Sequence, residues 1–276
     1  AIALVLLVES LGVHYGVTRF DITYLDRNKA IPAANAIAGE KATNLLVVDS
    51  SQEGVSDAEA MLDQILLDMK VPTTVVDVAD ENAEFPALTH YSTIVVAMPN
   101  LDRLGEHVLQ IMQWAKKGGG VMFAMTPEKT GYLDVIGPQI GIESSAYEYV
   151  LTKGITPSKD FMLGGGQTYT FSDPFESSLS VALHDRAQVK AVSSNGRTPL
   201  IWSTFVNSGS AVVCNIGIYG KVLRGFYASA FSLLGSATAY PVINSAAFYL
   251  DDFPSPVPSG NGKYIKRDYN MSIAEF

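Results

Sequence analysis

The sequence predicts an α/β fold: a parallel sheet with a β-rich excursion, followed by a separate final element. Three observations predict it. Between residues 43 and 125, strand-like runs that are apolar throughout alternate with amphipathic helical stretches. Gly, Pro, Ser and aromatic residues then crowd the stretch from 136 to 175. Near the end, the apolar run 242–250 stops at two adjacent carboxylates, Asp251 and Asp252, and breaks at Pro254, Pro256 and Pro258.

The elements follow in order. "NLLVVDSS" (44–51) is an apolar run closed by polar residues, and "SDAEAMLDQILLDMK" (56–70) spaces Ala60, Met61, Ile65, Leu66 and Met69 for a helix behind a Ser56 cap. "PTTVVDV" (72–78) is β-branched, which completes a βαβ unit. "YSTIVVAMPN" (91–100), "LGEHVLQIMQWAKKG" (104–118) and "GGVMFAM" (119–125) add a strand, a helix ended by Gly118 and a strand. The excursion is expected as short strands and turns. "VKAVSSNGRTPLIWSTFVNSGSAVVCNIG" (189–217) holds strand-like runs separated by turn signals at Asn195-Gly196 and Asn207-Ser208-Gly209, and "KVLRGFYASAFSLLG" (221–235) reads as a closing helix. The ordered domain is expected over residues 43–238, with a new element over 241–276.

Residues 1–42 carry a different pattern. "AIALVLLVESLGVHYGV" has an apolar part shorter than a membrane span needs, and reads as the tail of a signal sequence or anchor, or alternatively as a buried helix. "RNKAIPAANAIAGEKA" (27–42) reads as a linker.

Composition narrows the function classes. At 276 residues, 47% hydrophobic and 17% charged, the chain can bury a large core and accommodates about two domains. A formal charge of -9 excludes nucleic acid and an anionic membrane surface as favoured partners. The single cysteine, Cys214, excludes an internal disulfide and a cysteine-cluster metal site.

In an open α/β sheet, ligands sit beyond the strands' C-terminal ends, so Asp49, Ser50, Ser51, Met98, Asn100, Thr126 and Glu128 are the positions to inspect. The glycine runs 118–120 and 164–166 lack phosphate-loop spacing, and His14, His90, His107 and His184 form no metal-binding pair. Tyr147, Tyr149, Tyr169 and Phe171 are candidates to line a sugar groove, with core packing as the alternative.

Asp251 and Asp252 carry the most specific chemistry. Adjacent carboxylates repel when buried, which favours a nearby cation or a proton on one of them. On a strand the two side chains diverge, so one carboxylate can ligate a divalent metal while the other takes a proton from water. The alternative is a pair that only turns the chain before the prolines.

Two resemblances bear on these residues. The passage "KKGGGVMFAM" and the late strands "PLIWSTFVNSGSAVVCNIG" resemble the flavodoxin-like sheet of the class I glutamine-amidotransferase-like fold, whose active members carry a nucleophilic Cys after a strand; neither Met98 nor Met125 is followed by one. The resemblance therefore implies a non-catalytic domain, with Cys214 a buried thiol. "FYLDDFPSPVP" is similar to the first motif of NodB-type polysaccharide deacetylases, which implies Asp251 as catalytic base and Asp252 as metal ligand. That family's H-x-x-x-H pair does not occur in this sequence, and Phe253-Pro254 replaces its usual Gly-Pro.

The combination, with "KYIKRDYNMSIAEF", resembles the bacterial domain-of-unknown-function family 2194. It implies a fragment of an exported or membrane-anchored protein of the cell envelope. In that protein, the first strand of a truncated deacetylase-like (β/α) barrel follows the amidotransferase-like domain, and acyl groups are hydrolysed from an extracellular polysaccharide with zinc or a similar divalent metal. The fragment itself is expected to be inactive and to bind divalent metal only weakly. The alternatives are a carbohydrate-binding scaffold and a degenerate amidotransferase-like regulator that binds a metabolite.

Overall fold

The computed structural model describes residues 43–235. The chain divides into two units, Ala1–Tyr240 and Pro241–Phe276, and every described residue belongs to the first. The expected signal or anchor, the linker, and the strand that carries Asp251 and Asp252 lie outside the described residues.

The described residues form one nine-stranded mixed sheet in the order β2-β1-β3-β4-β9-β8-β7-β5-β6. The first five strands in this order are β2 (Thr73–Asp77), β1 (Asn44–Val48), β3 (Thr93–Ala97), β4 (Gly120–Phe123) and β9 (Gly209–Cys214), and they run parallel. Every residue of β1, β3 and β4 is buried, as apolar runs covered on both faces require. At their N-terminal ends Asn44 joins three strands: its amide donates to Thr73 Oγ1 at 3.2 Å and accepts from Thr93 Oγ1 at 2.8 Å.

Four helices cover this sheet: α1 (Val55–Asp68), α2 (His107–Lys116), α3 (Gly131–Ile136) and α4 (Arg224–Ser232). Helix α1 packs beside α4 and α2 beside α3. Of the apolar spacing read from residues 56–70, Met61, Ile65, Leu66 and Met69 are buried, but Ala60 is exposed and Ala58 and Leu62 complete the buried face. Ser56 is not the cap, however: the helix begins one residue earlier behind Gly54, whose φ of 76° is backbone that a side chain would strain. Helix α3 falls where no helix is expected from the sequence. It is short, and the Thr130 hydroxyl caps it by accepting from Leu133 N–H at 3.2 Å.

The excursion is a single long antiparallel hairpin, β5 (Ile142–Pro157) with β6 (Tyr169–Leu183), where short strands are expected from the sequence. Turn-rich composition misleads because β6 is the sheet's edge strand, where Pro174 forfeits no ladder bond to a further strand. Four register shifts in the β5–β6 pairing absorb the irregular residues. Strands β7 (Gln188–Ser193) and β8 (Pro199–Val206) return the chain antiparallel to β9.

This antiparallel half curls back on the parallel one, and one residue holds it there. Asn215, directly after β9, is fully buried. Its Oδ1 accepts from Leu179 N–H at 2.7 Å, and its Nδ2 donates to Leu179 O at 2.8 Å and to Pro199 O at 2.9 Å. Its own carbonyl accepts from Ser178 Oγ at 2.9 Å, which in turn accepts from Thr152 Oγ1 at 3.1 Å. Three strands separate β6 from β9 in the sheet order, so these bonds fasten the hairpin across the curl.

Replacing Asn215 by Leu leaves the two buried backbone groups of Leu179 and the partly buried Pro199 carbonyl without these bonds, and should lower unfolding stability by about 3 kcal/mol. Denaturant unfolding of the 276-residue chain measures this. A loss no larger than that of a surface substitution would show that the clamp is not needed.

Candidate functional site

The loops that follow β1, β3, β4 and β9 meet at the sheet's C-terminal edge, where β1 and β3 flank the point at which strand order reverses. Side chains close that crevice. Asp49, at the end of β1, is fully buried; its Oδ1 accepts from Ser51 Oγ at 2.5 Å and Ser51 N–H at 3.1 Å. Its Oδ2 accepts from Gln52 Nε2 at 2.9 Å and pairs with Arg103 Nε at 2.9 Å. Gln52 extends the staple to the β3 loop by accepting from Asn100 N–H at 3.0 Å, and the Asn100 side chain accepts from Asp102 N–H at 3.1 Å.

Electrostatics agrees with this geometry. Burial by itself would raise the Asp49 carboxyl, but hydrogen bonds from Ser51, Arg103 and Gln52 outweigh it and hold the pKa down at about 2. Two further carboxylates are engaged in the same way. Asp77 accepts from Ser50 N–H and Ala79 N–H, and Asp102 accepts from Gly131 N–H and Tyr132 N–H at the start of α3. Each of the three ties one loop to another.

An open cleft of about 610 Å³ lies beside this staple, along the ends of β4 and β9. Its far wall is the hairpin, through Tyr149, Glu176 and Ser177. Gly217 lets that wall close down, because a Cβ there would collide with Ser177 Oγ. The near wall carries Glu53 and Asp57 at the start of α1, and the β4 loop supplies Thr126 and Glu128. Tyr219 stands at the β9 end, its hydroxyl donating to Ile216 O at 3.2 Å. Partial burial and the Glu128 charge across the same cleft push the Tyr149 hydroxyl up.

The residues singled out from the sequence therefore separate. Asp49, Ser50, Ser51 and Asn100 belong to the staples, and Met98 is core; Thr126, Glu128 and Tyr149 line the cleft. Tyr169 packs edge-on against Phe226 and Phe171 against Phe175, so neither lines the cleft. The side chain of Tyr147 lies outside the described residues, as do Asp251 and Asp252. Cys214 is fully buried inside β9, and burial pushes its thiol far up. His107 stacks on Phe85 at 4.1 Å between ring centroids. Glu53, Asp57 and Glu176 escaped the sequence reading because they come from segments far apart in the chain. Asn215 carried a signal that could have found it, a lone amide after the apolar run "AVVC".

Residues 7–182 and 169–276 match a family described as "Uncharacterised protein conserved in bacteria (DUF2194)". The chain belongs to this family. No curated protein matches the sequence. Among solved structures, the DUF2194 chain is similar in fold to a cytoplasmic protein of Salmonella typhimurium LT2 (12% identity, TM-score 0.55, 69% of this chain and 99% of that one). It is similar also to a β-galactosidase of Bacillus circulans sp. alkalophilus (14% identity, TM-score 0.53, 74% of this chain and 32% of that one). A third is the exo-β-1,4-mannosidase Op5Man5 of Opitutaceae bacterium strain TAV5 (14% identity, TM-score 0.50, 73% and 37%). The DUF2194 chain thus spans about a third of the length of these two glycosidases, and at such identities the likeness is one of fold.

The depressed Asp49 carboxyl predicts an acid dependence. Its contribution to stability is complete above its ordinary value of 3.8 and is lost as pH falls toward about 2. Asp49→Asn should therefore flatten the stability profile between those values. An unchanged slope in denaturant melts across that range would mean that Asp49 is not held ionised.

Proposed function

We propose that the described sheet is a non-catalytic, amidotransferase-like accessory domain of a bacterial cell-envelope protein that acts on polysaccharide. Its hydrolytic centre would begin at Asp251 and Asp252. One observation supports the first part above others: the chain's single cysteine, the last residue of β9, is 0% exposed, so no accessible thiol stands at the sheet's C-terminal edge. The β4 loop, where such a nucleophile would stand, reads Ala124-Met125-Thr126. Among the described residues only Lys70 and Asn207 are non-glycine residues with positive φ, so that loop does not have the strained turn of a nucleophile elbow.

The fold likeness to parts of a β-galactosidase and a mannosidase is consistent with an accessory role beside carbohydrate chemistry. Among the described residues no group of three or more His, Cys, Asp or Glu side chains could hold a metal ion, so the sheet domain does not fit one. In this reading Asp252 is the metal ligand that the sequence motif supplies, and a divalent metal there would polarise the acyl oxygen of an acetylated sugar. Asp251 takes the proton from the attacking water.

Two measurements test this. A catalytic zinc site uses about three protein ligands, and the motif provides one, so calorimetry on the 276-residue chain should show Zn²⁺ binding weaker than micromolar and dependent on Asp252. In the gene-length protein, Asp251→Asn should reduce acetate release from an acetylated chitooligosaccharide by about 100-fold or more. Unchanged zinc binding in Asp252→Ala, or unchanged release in Asp251→Asn, would remove the site from these residues.

A further inference from the structure

The cleft beside the Asp49 staple has a chemistry of its own. Glu53, Asp57, Glu128 and Glu176 line it, and among the described residues no Lys, Arg or His does. Unlike Asp49, Asp77 and Asp102, none of these four carboxylates has a hydrogen-bond or ion-pair partner among the described residues. Thr126, which lines the same cleft, is only 6% exposed, and its Oγ1 is buried without a partner among the described residues. A buried hydroxyl is normally paired, so an unsatisfied one within a cavity marks a place where a polar ligand can complete the bonding. The volume of about 610 Å³ lies in the range of roughly 300–1,000 Å³ that small-molecule sites occupy.

The arrangement selects among cations. The four carboxylates do not converge into a group that could hold a metal ion, so a single divalent cation does not match them. They are distributed over the α1, β4 and hairpin walls, which suits a ligand with several ammonium groups spaced along it. Tyr149, 40% exposed, and the half-buried Tyr219 add two ring systems to the same cleft. Aromatic faces favour a ligand that is both ring-shaped and cationic over a thin aliphatic polyamine.

We propose that this cleft binds a de-N-acetylated amino-sugar oligomer, with its ammonium groups on Glu53, Asp57, Glu128 and Glu176 and its sugar rings against Tyr149 and Tyr219. Charge-assisted bonds to carboxylates give the affinity, and the N-acetylated form, lacking the cation, is excluded. The choice of an amino sugar rests on the carbohydrate reading above, in which removal of N-acetyl groups produces this kind of ligand. Binding is measured without turnover, so failure of the cleft and failure of the Asp251–Asp252 site are separate results.

The test is calorimetry on the 276-residue chain with glucosamine tetramer, N-acetylglucosamine tetramer and spermine as three separate probes. Glucosamine tetramer should bind at least about tenfold more tightly than either of the others. Glu128→Gln with Glu176→Gln should weaken it by about tenfold or more, as should Tyr149→Ala, while Glu81→Gln with Glu84→Gln, outside the cleft, should not. These acidic residues are exposed, so the variants are expected to fold, and equal thermal midpoints would verify it. Equal binding of the acetylated tetramer or of spermine, or a loss with Glu81→Gln and Glu84→Gln as large as that with the cleft pair, would overturn the proposal. So would undiminished binding in the Glu128→Gln, Glu176→Gln variant.

Discussion

The antiparallel half of the structure is fastened by the buried amide of Asn215. The parallel half of the sheet needs no such device, since its strands are buried on both faces and its ladder satisfies its own backbone. The antiparallel half is different. Its edge hairpin carries Pro174 and four register shifts, so its ladder is interrupted along its length. By bonding both backbone groups of Leu179 and the carbonyl of Pro199, Asn215 turns the curl of the sheet into a fixed geometry. An apolar residue there would leave these groups buried and unpaired, which specifies the amide at this position.

The clamp also decides where a cleft can exist. Tyr149, Glu176 and Ser177 form its outer wall only because β6 is held against the end of β9, and Ser178, next to Ser177, is itself hydrogen-bonded to the Asn215 carbonyl. Gly217 lies two residues beyond Asn215 and gives the space that Ser177 occupies. Clamp and close approach are thus two residues apart in the chain, and together they set the wall that the distant hairpin supplies.

What was legible in the sequence follows from the same division. Strands β1 to β4 and helices α1 and α2 could be read because full burial demands continuous apolar runs and one-sided burial demands helical spacing; both are local signals. Ser56 misled as a cap because Gly54 supplies the turn by backbone conformation. The hairpin was legible as β-rich but not as two strands of 16 and 15 residues, since bulges break the two-residue alternation that would have revealed its length. The cleft was partly legible, through Thr126 and Glu128 at a strand's C-terminal end and Tyr149 as an aromatic candidate. Glu176 was not, because only the curl brings it to β4.

The placement of carboxylates explains why the generic ligand crevice of this fold is not where the open space lies. At the strand-order reversal a carboxylate without partners would attract a ligand, but Asp49 is committed to Ser51, Gln52 and Arg103, and its proton affinity falls accordingly. Committed charges of this kind stiffen loops and leave no field to attract a substrate. The uncommitted ones line the cleft beside the Asp49 staple, on walls that three separate segments contribute, with no basic side chain among the described lining residues to neutralise them. Four exposed carboxylates around one cavity make its lining anionic, and on the reading proposed above a ligand with spaced cationic groups is what such a lining would attract.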